Sequence, residues 1–137
     1  MGIDARIETE TGEPLAEVGD PRGYLAWGLS LSPQDSTVCL RFVDPYANTT
    51  FNQLQLPTLL SELQATQATL TNRRLGAAKN DYLARAASWP EVAKTDAKAW
   101  TTSFSLKDIR RHFDQVIALV QDAITRGPHH YVRFIGD

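Results

Sequence analysis

Val38-Cys39-Leu40-Arg41-Phe42-Val43-Asp44-Pro45-Tyr46 is the stretch on which the reading of this chain turns. Successive side chains of an extended chain point to opposite faces, so Leu40 and Phe42 would share one face and Arg41 would take the other. The same arrangement returns near the C-terminus as Val132-Arg133-Phe134-Ile135-Gly136. The two segments read as strands of one sheet, with residues 37–43 as a central strand that Asp44-Pro45 ends abruptly.

Working outward, Ile3, Ala5 and Ile7 alternate with Asp4, Arg6 and Glu8, the period of a strand with one buried and one wet face. Thr11-Gly12-Glu13-Pro14 supplies a turn and Leu15 to Val18 a short return strand, making an acidic N-terminal hairpin. Repulsion among its acids needs an offset from Arg6 or from a partner. Residues 24–36 fit a strand and a helical turn equally well, since Tyr24, Leu25, Trp27, Leu29 and Leu31 alternate in a short segment.

Downstream, Asp44 to Asn52 is rich in residues that hydrogen-bond their own backbone and reads as a loop anchored by Phe51. The leucines from Leu54 to Leu70 predict a helix over 57–75, with Pro57 in its first turn, Arg73 and Arg74 in its last and Gly76 at its end. Residues 77–101 predict one or two short helices, one capped by Asn80 and one opened by the box Ser88-Trp89-Pro90-Glu91. Trp89 and Trp100 read as core plugs. The clearest signal follows: Ser105 as N-cap, Asp108 three residues on, and a stripe of Leu106, Ile109, Phe113, Val116, Ile117, Val120 and Ile124 that Gly127-Pro128 stops.

The chain is therefore expected to be one α+β domain over residues 1–137. Its mostly antiparallel sheet would include an N-terminal hairpin, a central strand and the C-terminal strand, packed against two long helices with shorter helices between them. A chain of 137 residues suffices for a single core. A hydrophobic share of 42% with 22% charged residues is that of an ordinary folded protein.

Several function classes are disfavoured. The apolar run Val116 to Val120 is far shorter than the roughly 20 residues a bilayer needs, and acids at 4, 8, 10, 13 and 17 do not suit a secretory signal. Arg6 also stands where a myristoylation motif wants Ser or Thr. Cys39 is the sole cysteine, which rules out an internal disulfide; it sits in an apolar alternation as an inert buried thiol, and a cytoplasmic location follows as the expectation. Asn48-Thr49-Thr50 matches a sequon that has no consequence in that compartment. Eight acids against three arginines leave residues 1–50 at −5, and with −2 overall the remainder is at +3, too small an asymmetry to indicate a nucleic-acid binder.

No catalytic constellation emerges. His129 and His130 are adjacent and would face opposite ways, and His112 has no second histidine at helical spacing, so no metal or other cofactor is expected. There is no nucleophile elbow, phosphate loop or HExxH pair. Two sets of residues stand out as binding candidates. Arg41, Asp44, Tyr46, Asn48 and Arg133 gather at the strand exit, where charge-assisted hydrogen bonds to a ligand and a well-made turn both account for them. Glu8, Glu10 and Glu13 form the acidic face of the hairpin.

Arg41-Phe42-Val43-Asp44-Pro45-Tyr46-Ala47-Asn48-Thr49-Thr50-Phe51-Asn52, with the hairpin before it, the Leu-rich helix after it and the terminal Arg133-Phe134-Ile135-Gly136-Asp137, resembles a group of small, largely uncharacterised bacterial proteins that carry RFxDPYxxTxFN and RFIGD motifs. The likeness spans most of the chain and departs from it at Ala47-Asn48 and in an expanded 77–104 segment. It implies the fold and no particular activity.

The functional expectation is a non-enzymatic protein-interaction module, of the kind that neutralises a bacterial toxin, with its acidic face steering association with a basic protein partner. A homo-oligomer is compatible with the same surface. The alternative is a small-molecule-binding protein or enzyme with its site at the Asp44–Asn52 loop.

Overall fold

A computed structural model describes residues 2–136. The strands β1 (Ile3–Thr9), β2 (Pro14–Val18), β3 (Asn48–Phe51) and β4 (His130–Gly136) form one antiparallel sheet in the order β2-β1-β4-β3. Five helices complete it: α1 (Tyr24–Ser30), α2 (Leu56–Thr69), α3 (Asn72–Ala86), α4 (Glu91–Ser103) and α5 (Leu106–Arg126). The α+β class, the N-terminal hairpin, a mid-chain strand and the C-terminal strand are as the sequence predicts.

The mid-chain strand lies further along than residues 37–43. Val38 to Val43 holds a single 3-10 turn at Leu40–Phe42, and the strand is β3, whose Phe51 opposes Val132 and meets Phe134 edge-on at 5.9 Å. The reason is Glu62 on α2. Its carboxylate accepts the backbone N–H groups of Val38, Cys39 and Leu40 at 2.5, 2.9 and 3.0 Å, and so supplies the acceptors that a neighbouring strand would have provided. Leu40 is buried while Phe42 is 57% exposed, so the two do not share a face.

One face of the sheet, carrying Ile3, Ala5, Ile7, Val132 and Phe134, packs on the helices. α5 lies at the centre of that layer, and its Ser105 cap accepts the Asp108 N–H at 3.1 Å. Its stripe from Leu106 to Val120 is buried as expected. Gly127, at φ 81, ends the helix. Among the described residues no helix is long and apolar enough to cross a membrane.

The helix expected over 57–75 is two helices. Leu70 turns to extended backbone, and Thr71 caps α3 by accepting the Arg74 N–H. Arg74 therefore sits in a first turn, where the helix dipole disfavours a cation. Its Nη1 donates to Ser32 Oγ at 2.9 Å and Leu31 O at 3.3 Å, which offsets that cost. Gly76 and Asn80 lie inside α3 and neither ends nor caps a helix. α4 starts after Pro90 without a side-chain cap, because Ser88 Oγ donates back to Arg85 O instead of forming the expected box.

Residues 24–30 are helical. Gly28 is what lets this helix reach α5: a Cβ there would lie 2.2 Å from Phe113 Cε1. The start of α1 is held by Asp20, whose Oδ2 accepts Leu25 and Ala26 N–H groups at 3.2 and 3.4 Å and also the Ile3 N–H of β1 at 3.0 Å.

Candidate functional site: an aromatic groove

The residues expected at the strand exit do not converge. Asp44 Oδ1 accepts the Tyr46 N–H at 2.8 Å, so Asp44 makes the turn. Arg41 lies over the Phe42 ring at 4.8 Å, Arg133 lies 3.7 Å from Glu8, and Asn48 opens β3 opposite Ile135. Tyr46 is different, being 74% exposed at the edge of a broad concavity.

The hairpin acids are also dispersed. Glu8 is buried on the sheet's other face between Arg6 and Arg133, with its carboxylate 3.4 and 3.7 Å from their guanidiniums. Arg6 reaches Glu17 at 3.1 Å as well, which provides the offset that the hairpin requires. Glu10 faces His129 at 3.1 Å, and Glu13 is exposed at the turn.

The concavity is a groove of about 940 Å³ between α1, α3 and α4, a size typical of small-ligand and peptide sites. α4 turns Ala93, Ala97 and Trp100 towards it, and α3 turns Ala78, Tyr82 and Arg85. Both sets follow helical spacing. Trp27 from α1 meets Trp100 at 4.9 Å, and Tyr82 meets Trp100 at 5.1 Å and Trp89 at 5.7 Å.

Trp100 packs against the core, as a core plug should. Trp89 does not, remaining 40% exposed at the groove wall. That stripe of small residues and rings on α3 and α4 was present in the sequence as Ala78, Tyr82, Ala93, Ala97 and Trp100. Each helix alone shows only a stripe, and the packing of α3 beside α4 is what brings the two stripes together.

Behind the groove lies the buried pair Asp20 and His112, which sequence spacing could not join because 92 positions separate them. Asp20 Oδ1 stands 3.4 Å from His112 Nε2, and the histidine ring packs 5.8 Å from that of Tyr24. Burial pushes the Asp20 carboxyl up, against the Ile3 N–H, the imidazole and the α1 N–H groups that hold it down. Burial likewise pushes the His112 imidazole down, against the attraction of Asp20 and Asp4. Pro21 and Arg22, which follow Asp20 in the chain, line the groove. No family model, curated protein or solved structure matches the chain, and the groove is read from its own chemistry.

Proposed function

We propose that this chain is a non-enzymatic protein-interaction module that holds a segment of a partner protein in the aromatic groove. The observation that supports this reading is the composition of the groove's exposed part, where Trp89 and Tyr46 are 40% and 74% exposed. Tryptophan and tyrosine are among the residues that dominate binding energy at protein interfaces, because they bury much area at small entropic cost. Rings that would gain from burial stand open beside Ala93 and Ala97, which are too small to cover them. Neutralising a toxin is one task such a module serves.

The test is to pan a phage-displayed random peptide library on the full chain and measure binding of the enriched peptides. Trp27, Trp89 and Trp100 are the chain's three tryptophans and all line the groove, so intrinsic fluorescence reports its occupancy. Binding should weaken by about tenfold or more in Trp89→Ala and Tyr46→Ala. Peptides that bind both variants as tightly as the parent chain, or a panning that enriches none, would overturn the groove as the docking site.

A further inference from the structure

The charges of the groove are unequally answered. Asp81 on α3 and Asp96 on α4 both line it, and among the described residues neither carboxylate takes part in an ion pair or a hydrogen bond. Arg85 follows Asp81 by one helical turn, the spacing at which such pairs form on a helix. Its guanidinium instead faces the Tyr82 ring, 6.0 Å from the centroid. Arg22 is engaged too: Nη2 donates to Ser103 Oγ at 2.6 Å, and its Cζ stands 6.0 Å from the Tyr24 ring. Both arginines thus have partners within the fold, and both acids have none.

Aromatic faces carry negative potential and attract cations, so the rings and the open carboxylates favour the same sign of ligand. A guanidinium suits both. It is planar, stacks on indole, sheds water more readily than an ammonium, and presents paired donors to a carboxylate. From this we infer that the segment docking in the groove presents an arginine flanked by apolar residues, with its guanidinium answered by Asp81 and Asp96 and stacked among the rings. The inference rests on the docking reading above and names the chemistry of its partner.

The test extends the same panning to peptides in which arginine is replaced by citrulline, its neutral isostere, with affinities read by tryptophan fluorescence. The enriched peptides should carry arginine beside an apolar residue, and citrulline should weaken binding by about tenfold or more. The double variant Asp81→Asn/Asp96→Asn should discriminate less between the arginine and citrulline peptides than the parent chain does, keeping only the preference the rings supply, with its fold confirmed by circular dichroism. Enriched peptides without arginine, or a citrulline peptide that binds the parent chain undiminished, would overturn the inference. If such binding is still lost in Trp89→Ala, the groove stands and only the cation is wrong; if it survives Trp89→Ala, the groove itself is wrong.

Discussion

Asp20 Oδ1 lies 3.4 Å from His112 Nε2 in the core, and the same carboxylate ties the first strand to the first turn of α1. The two groups push stability in opposite directions with pH. Burial lowers the His112 pKa from 6.5, so the unfolded chain binds more protons; that contribution is complete above about pH 6.5 and is lost as pH falls through the folded value. Burial raises the Asp20 pKa from 3.8, so here the folded chain holds the proton more tightly, and stability from this source falls as pH rises through the folded value. Asp20→Asn removes the second effect and takes from His112 the charge that favours its protonation. Urea titrations should therefore show this variant losing stability below pH 6.5 more steeply than the parent chain, with one proton setting a limit of about 1.4 kcal/mol per pH unit. His112→Gln should flatten the same window. A parallel pH profile for Asp20→Asn would contradict the assignment.

Glu62 replaces a strand partner for three consecutive amides, so Glu62→Ala should leave Val38, Cys39 and Leu40 without acceptors at a cost of about 2 kcal/mol or more. Cys39 gives a local readout. Burial, and then the Glu62 charge, raises its thiol pKa, so the variant should react faster with a thiol reagent under native conditions. Unchanged labelling would mean that Glu62 does not hold this segment.

These two carboxylates also show what the sequence could and could not reveal. Ser105 and its stripe were legible because cap, spacing and stop lie within one helix, and the hairpin was legible because its period is local. Val38 to Val43 carried the alternation of a strand, but pattern does not say where backbone hydrogen bonds go, and Glu62 is over twenty residues away. The groove is hidden in the sequence for a related reason. Ala93, Ala97 and Trp100 announce a helix face without saying whether core or solvent covers it.

Gly28 sets the distance between α1 and α5. Gly28→Ala would place a methyl 2.2 Å from Phe113 Cε1 and 3.2 Å from Ile109 Cγ2, and the helices must separate to admit it. A loss of about 1–3 kcal/mol is expected in a denaturant titration. Phe113→Leu, itself destabilising, should cost less in the alanine background than in the parent chain. Additive losses would show that the contact does not limit the packing.

Ser105→Ala removes the acceptor of the Asp108 N–H and should cost about 1 kcal/mol, seen as a lower melting temperature with peptide binding at the groove unchanged.

Glu8 and Glu13 separate a structural acid from an exposed one on the same hairpin. Arg6 and Arg133 are directly paired across β1 and β4, a like-charge juxtaposition that destabilises a sheet unless it is offset. Glu8, two residues along from Arg6, places its carboxylate against both guanidiniums with its side chain 7% exposed. Glu8→Gln should take from Arg133 its counterion and leave Arg6 with Glu17 alone, at a cost of about 1–3 kcal/mol in urea. Glu13→Lys, at the open turn, should change stability by no more than about 0.5 kcal/mol. If the hairpin acids instead steer a basic partner, the reversal at Glu13 should slow association at low salt and leave it unchanged at high salt, where the Debye length is short. An association rate indifferent to Glu13→Lys at low salt, measured with the arginine peptides of the groove test, would confine recognition to the groove.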